Sequence, residues 1–217
     1  MPVLLSLTAV TGLVDAVSVL GLGRVFTANM TGNVVFLGFA AAGAPGLSLV
    51  RSGAALLAFV VGAAIGGRIG VPIGAGYVER PTSAALGLEA ALLLAATGAA
   101  LGAGPDLSVV PVRLYAVIAL TGLAMGIRNA VVRKLAVPDL TTTVLTMTIT
   151  GLAADSPVAG GEGPRWSRRV ASVAIMFAGA AVGAWLAARS VAHALAVAGV
   201  LSALSAVAAH RRLRTVG

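Results

Sequence analysis

Two polar stretches interrupt an otherwise apolar chain, and their side chains are the groups best suited to bind a solute. The stretches are RVFTANMTGNVVFLG at residues 24–38 and VPDLTTTVLTMTITG at residues 137–151. Polar groups at membrane depth are tolerated only where protein or a water-filled cavity surrounds them. The candidate substrate-binding residues are Thr27, Asn29, Thr31, Gly32 and Asn33 in the first stretch and Thr141, Thr142, Thr143 and Thr146 in the second.

A half-helix that begins in each polar stretch would offer free backbone amides to the solute. We expect Thr31 to be the N-cap in the first stretch, and Asp139 or Thr141 in the second. The first amides of a helix, together with its dipole, favour an anion. Alternatively, these hydroxyls satisfy their own backbone or bridge helices. The cluster occurs twice, which favours a binding role.

Three ionisable residues and one asparagine are candidates for charge compensation or proton coupling. Ionisable groups within apolar spans are costly and mark functional sites by default. Asp15 lies inside the first apolar run, and Arg128, followed by Asn129, is its expected partner. Glu89 lies inside the third apolar run and is a second candidate for protonation. A purely structural role is the alternative for both carboxyl groups.

An enzymatic function has no support in the sequence. The chain has no cysteine, and its two histidines, His193 and His210, fit no metal-binding spacing. Ser18 and Ser172 have no nearby histidine that could activate them. We therefore expect no catalytic residue, no metal and no cofactor.

The composition is that of a polytopic membrane protein. The 217 residues are 59% hydrophobic and 10% charged, with a mean hydropathy of +1.01, whereas soluble domains have about 25% charged residues. The net charge of +8 comes from basic residues at the ends of apolar runs, which indicates topology and lipid head groups rather than nucleic acid. Spans are predicted at about 3–23, 50–72, 83–103, 110–130, 167–188 and 190–209, with shorter apolar pieces at about 31–45 and 140–154.

The order of short motifs indicates an internal repeat. Matching features recur at offsets that drift only from 110 to 117 residues. We therefore predict a single membrane domain, 1–217, with one repeat at about 1–105 and a second at about 106–217. The Gly-Ala-Ala-x-Gly motifs are small-residue packing faces, for helix contact within the chain or for a dimer seam. The repeated features are Thr-Gly-Leu at 11–13 and 121–123, an arginine at 51 and 168, and Gly-Ala-Ala-x-Gly at 62–66 and 179–183.

The distribution of Lys and Arg distinguishes two topologies. If the short pieces are re-entrant half-helices, six spans remain, and the basic residues divide 11 to 4 with both termini on the richer side. If all eight pieces cross, the division is 8 to 7 and the repeats are parallel. The positive-inside rule favours six spans and cytoplasmic termini. Each repeat then has three spans, so the two repeats are inverted, as in many secondary transporters.

Three segments carry a resemblance to a known family. They are residues 11–38 (TGLVDAVSVLGLGRVFTANMTGNVVFLG), 126–135 (GIRNAVVRKL) and 139–155 (DLTTTVLTMTITGLAAD). Together they resemble the YoaK family, a bacterial group of small integral membrane proteins with a domain of unknown function. The resemblance extends over nearly the whole chain. It implies a protein of the bacterial inner membrane with about six helices and no known activity.

The expected function is a small-solute transporter or channel. The solute is a small anion or polar metabolite, bound between two half-helix N-termini near the midplane of the bilayer. The expected partners are the lipid bilayer, this solute and a second copy of the chain in a homodimer, and no nucleic acid. The alternative is a non-transporting membrane scaffold or partner subunit, in which the polar stretches hold helices together.

Overall fold

The computed structural model describes residues 2–135, 145–161 and 166–214, and the regular structure in these ranges is helical. Six of the described helices are long and apolar enough to cross a membrane, and two apolar helices are shorter. The prediction of an all-helical protein with six long apolar helices and two short ones is therefore confirmed. The helices are α1 (Pro2–Gly21), α2 (Met30–Ala41), α3 (Leu49–Ile69), α4 (Glu79–Ala100), α5 (Pro111–Leu135), α6 (Leu145–Ala154), α7 (Trp166–Ala187) and α8 (Val191–Arg214).

Local signals set the ends of the long helices, as α5 illustrates. It begins at Pro111, whose fixed φ suits a first helical residue, and its last turn carries Arg133 and Lys134. Basic groups there offset the partial negative charge of a helix C-terminus. In the preceding loop the carboxylate of Asp106 accepts a hydrogen bond from the backbone amide of Ser108 at 2.8 Å, and this bond lowers the pKa of Asp106.

Two pairs of parallel helices, α3 with α5 and α7 with α1, pack through glycine. A Cβ atom at Gly62 would overlap the backbone of Leu123 in α5, and one at Gly179 would overlap the backbone of Ala9 in α1. The second glycine of each Gly-Ala-Ala-x-Gly motif lies four residues later and contacts a position four residues later in the same partner helix. Both motifs therefore serve close helix contact within the chain, as predicted, and a homodimer would need another face.

The first and last helices are antiparallel. Near the start of α1, the hydroxyl of Ser6 is 2.6 Å from that of Ser205 in the later turns of α8. At the other end of α1, Gly21 lies against Val191, the first residue of α8. The start of α1 and the last turns of α8 therefore share one end of the bundle, called the terminal end below. The opposite end is called the far end.

The directions of the other helices follow from contacts of the same kind. Glu79, at the start of α4, lies 3.3 Å from His210 of α8, so α4 starts at the terminal end. Arg113, near the start of α5, donates a hydrogen bond to the carbonyl of Leu101 just after α4, so α5 starts at the far end. As a result, α1 ends and α3 begins at the far end, whereas α5 ends and α7 begins at the terminal end.

Candidate functional site

The first polar stretch turns back along α1 as soon as that helix ends. Gly23 and Arg24 have φ angles of 75° and 59°, and a positive φ is uncommon for a residue with a side chain. The backbone amides of Arg24 and Val25 then donate hydrogen bonds to the carbonyls of Val19 and Ser18, at 3.2 and 3.4 Å. The chain therefore runs from the far end into the interior of the bundle.

Asp15, in α1, lies opposite this returning segment. Its carboxylate faces the backbone amides of Ala28 and Asn29, and only 8% of the residue is exposed. Within the described part of the chain, Asp15 Oδ1 has no hydrogen-bond partner, and neither does the fully buried hydroxyl of Thr27. The fold thus brings together three of the predicted site residues, Asp15, Thr27 and Asn29.

Helix α2 begins earlier than the sequence suggested. Its N-cap is Asn29, whose side chain accepts a hydrogen bond from the backbone amide of Gly32 at 3.4 Å. The prediction that Thr31 is the cap is therefore wrong, because asparagine two residues earlier is an equally favourable cap. Thr31 lies in the first turn and is exposed. Gly32 packs on the ring of Phe26, where a Cβ atom would approach to 2.8 Å.

Asn33 joins the returning segment to α3. Its side chain is fully buried. The Oδ1 atom accepts a hydrogen bond from the backbone amide of Phe26 at 3.4 Å, and the Nδ2 atom donates to the carbonyl of Ser52 at 2.9 Å. Both ends of the amide therefore contact protein, and the assignment of Asn33 to substrate binding stays a prediction.

The second polar stretch is described only in part. Within it, Thr146 lies on an exposed position of α6. Helix α6 is held to α7 by Arg169, whose Nη1 atom donates to the carbonyl of Gly151 and to the carboxylate of Asp155, both at 2.6 Å. The candidate binding residues and alternative caps that lie outside the described residues are Asp139, Thr141, Thr142 and Thr143.

A cavity of about 750 Å³ lies between the N-terminus of α2, the helix α3 and the C-terminal half of α5. Its polar lining consists of Asn29, Thr31, Asn129, Arg133 and Lys134, and the rest of its lining is apolar or glycine. The described lining therefore contains two cationic side chains and no carboxylate. A cavity with hydrogen-bonding groups and positive charge suits a polar or anionic solute.

The other buried carboxylate, Glu89 of α4, belongs to a network that joins four helices. Glu89 and Arg128 of α5 are both fully buried. Arg128 Nη1 lies 3.0 Å from Glu89 Oε1, which also accepts a hydrogen bond from the hydroxyl of Ser202 in α8 at 3.0 Å. Arg128 Nη2 donates to the hydroxyl of Thr11 in α1 at 2.7 Å. The guanidinium and carboxylate thus stabilise one another in the core.

The expected pairing of Asp15 with Arg128 is therefore not observed. Arg128 acts on Asp15 only through space, and its direct ion pair is with Glu89. The matching Thr-Gly-Leu triplets predicted the height of each residue along its helix. They could not predict that α4 packs against α5 on the side that carries Arg128. Asn129, the next residue, lines the cavity and donates a hydrogen bond to the carbonyl of Met125 at 2.7 Å.

Four residues of these networks escaped the sequence reasoning, namely Thr11, Ser52, Arg169 and Ser202. Thr11 and Arg169 each carried a signal. Thr11 is part of a repeated triplet, and Arg169 follows the repeated arginine. Ser52 and Ser202 carried none, because a serine in an Ala-rich helix is usually bonded to its own backbone.

Comparison with known proteins gave one family and one relative. The DUF1275 family, described as a protein of unknown function, matches residues 3–208. The UPF0700 transmembrane protein YoaK of Bacillus subtilis (strain 168) is 35% identical over 157 residues, which cover 70% of this chain and 64% of that protein. The chain thus aligns with less than two thirds of that relative. No solved structure matches. The resemblance to the YoaK family is confirmed.

Proposed function

We propose that this chain, which belongs to the DUF1275 family and is a distant homologue of the transmembrane protein YoaK, is a transporter or channel for a small anion or polar metabolite. The observation that carries the proposal is the cavity of about 750 Å³ at the N-terminus of α2. Asn29, Thr31 and Asn129 offer hydrogen bonds there, and Arg133 and Lys134 offer positive charge. The positive end of the α2 dipole adds to that charge.

The proposed architecture is two inverted repeats with two re-entrant half-helices. The chain enters and leaves α2 at the far end, and it enters and leaves the α6 region at the terminal end. A helix of 12 residues is about 18 Å long, against a hydrocarbon thickness of about 30 Å, so α2 is too short to cross alone. The parallel pairs α3–α5 and α7–α1 are equivalent under such a repeat. These features favour six crossings over eight.

This architecture gives the protein an orientation. The terminal end carries the basic last turns of α5 and the start of α7, which includes Arg168 and Arg169. By the positive-inside rule, this end faces the cytoplasm, with both termini, in the bacterial inner membrane. The cavity connects the midplane at α2 to the basic end of α5. It is therefore the cytoplasmic half of the proposed solute path.

A second cavity, of about 520 Å³, is less suited to the solute. Its lining includes Arg128 and, like that of the first cavity, Lys134, but most of it is aliphatic. The guanidinium of Arg128 is already paired with Glu89. We therefore assign solute contact to the first cavity, and charge compensation within the core to Arg128 and Glu89. We assign proton or ion coupling to Asp15.

The second candidate function is a membrane scaffold without transport. The observation that favours it is Asn33, whose amide oxygen and nitrogen both make hydrogen bonds that tie the returning segment to α3. If the other polar side chains have the same role, the polar stretches only hold helices together. The cavity distinguishes the two functions, because a scaffold has no need of a water-filled path to Thr31.

Cysteine accessibility tests the proposal, since the chain contains no cysteine of its own. Single variants Thr31→Cys and Asn129→Cys are treated with a membrane-impermeant thiol reagent in two preparations. Right-side-out vesicles expose the outer face of the membrane to the reagent, and inverted vesicles expose the cytoplasmic face. We expect both to react from the cytoplasmic side. The matched control Ala96→Cys, at a fully buried position that does not line the cavity, should not react. Failure of both cavity variants to react from either side would favour the scaffold.

A further inference from the structure

Three buried oxygen atoms beside the returning segment have no hydrogen-bond partner within the described residues. They are Oδ1 of Asp15, Oγ1 of Thr27 and Oγ of Ser52. Their residues are 8%, 0% and 1% exposed, respectively. A buried polar group without a partner is unusual in a folded protein, and a bound ion or water is a common reason for one.

Contacts of neighbouring groups place the three residues beside the same segment. The Asp15 carboxylate faces the backbone amides of the two residues that follow Thr27. Asn33 accepts a hydrogen bond from the amide of Phe26, which precedes Thr27, and donates one to the carbonyl of Ser52. The segment from 26 to 29 is thus bracketed by α1 on one side and by the Ser52 turn of α3 on the other. Asp15 and Ser52 therefore flank the segment that carries Thr27.

Charge balance at this place depends on Asp15. Among the described residues, the middle of the bundle holds two carboxylates, Asp15 and Glu89, and one guanidinium, Arg128. Glu89 takes the guanidinium in a direct ion pair, so an ionised Asp15 would have no direct counter-ion. Backbone amides supply only partial charges. A buried charge without full compensation is strongly disfavoured, and either a proton or a small cation would balance it.

We propose that Asp15, Thr27 and Ser52 form a binding site for a monovalent cation of the size of Na⁺. One carboxylate and neutral oxygens suit a singly charged hard ion, whereas Ca²⁺ sites usually gather several carboxylates. The described residues contain no group of three His, Cys, Asp or Glu side chains that would hold a metal ion. Interrupted helices in transporters bind coupling ions at such unwound segments. The coupling role of the ion rests on the proposed transport function, but binding itself does not.

Binding is measured without transport, so the two proposals fail separately. The full chain in detergent is unfolded by heating at constant ionic strength in NaCl, KCl or N-methylglucamine chloride, and the fluorescence of Trp166 and Trp185 is followed. A ligand that binds only the folded state raises the midpoint of unfolding with concentration. We expect Na⁺ to raise the midpoint above the value in N-methylglucamine. Equilibrium dialysis with radioactive sodium checks the same binding directly.

Variants assign the effect to the site. Asp15→Asn and Thr27→Val should abolish the Na⁺-dependent shift. Thr27→Val should also raise the midpoint in Na⁺-free buffer, because it removes a buried hydroxyl that has no partner. The matched control is Thr121→Val, at an equally buried threonine whose hydroxyl donates to the carbonyl of Val117 at 2.6 Å. This control should keep the Na⁺ shift.

Three results would overturn the cation site. One is an equal midpoint in Na⁺ and N-methylglucamine for the unmodified chain, which would indicate a proton or a water molecule at Asp15. The second is a Na⁺ shift that survives in both Asp15→Asn and Thr27→Val. The third is a shift that Thr121→Val also loses. None of these results bears on the accessibility of Thr31 and Asn129, which tests transport.

Discussion

Asp15 of α1 and Glu89 of α4 are two buried carboxylates whose surroundings differ. Glu89 is bonded to a guanidinium and a hydroxyl from two other helices. Asp15 faces backbone amides of a returning segment and feels Arg128 only through space. Within the described residues, one oxygen of each carboxylate has no hydrogen-bond partner, so the two differ in how their charge is matched. The comparison suggests that Glu89 is part of the framework, because its charge is matched by packed side chains. Asp15 is available for a ligand, because its charge is not matched in this way.

Removing the cation of the framework pair should give the largest effect. In Arg128→Leu the carboxylate of Glu89 is left buried without its counter-ion, which typically destabilises a protein by about 3–5 kcal/mol. Unfolding of the purified variant in mixed detergent and SDS micelles measures this loss. The double variant Arg128→Leu/Glu89→Gln should recover most of the stability. A double variant as unstable as the single one would show that the pair does not act through charge.

Neutralising Glu89 should have a smaller effect. In Glu89→Gln the amide oxygen still accepts hydrogen bonds from Arg128 and Ser202, but these bonds lose their charge assistance. We expect a loss of about 1–3 kcal/mol, the range for a hydrogen bond to a charged group. The same micelle titration measures it, with Glu79→Gln as control, at a half-buried carboxylate that lies beside His210 near the end of the bundle. A loss equal to that of Arg128→Leu would mean that the neutral amide does not fit the network.

Neutralising Asp15 should have the smallest effect on stability. In Na⁺-free buffer, Asp15→Asn breaks no direct ion pair, so we expect a change of less than about 1 kcal/mol in the free energy of unfolding. Adding NaCl should then widen the difference, because only the unmodified chain gains the ion. A loss as large as that of Glu89→Gln in Na⁺-free buffer would place Asp15 in the framework as well, and the contrast between the two carboxylates would disappear.

The long helices could be predicted because their information is local. Each is an apolar run long enough to span a bilayer, so composition alone places it, and α1 and α7 end within two residues of the predicted limits. The contacts of the Gly-Ala-Ala-x-Gly motifs were also predictable, because a repeated pair of glycines on one helix face indicates close packing. Both signals are local, so they can be read from the sequence without knowing which residues are close in space.

The site was less predictable, because it depends on neighbours that sequence spacing does not give. Asn29 and Thr31 are both good caps two residues apart, and the choice between them depends on how Gly32 and Phe26 pack. Arg128 could reach a carboxylate on α1 or on α4, and the orientation of α5 decides this. Asn33 was assigned to solute binding from its residue type alone, and its bonds to Phe26 and Ser52 are visible only in the fold.

The glycine contact between α1 and α7 has a consequence for how the protein is made. Gly179 lies against Ala9, so α1 packs on α7, a helix that is synthesised only after α2 to α6. Until α7 has been made, the face of α1 that carries Ala9 and Leu13 lacks its native neighbour. Long-range contacts of this kind delay native packing and leave intermediates exposed during synthesis. Native packing of α1 is therefore completed only after α7 has been synthesised.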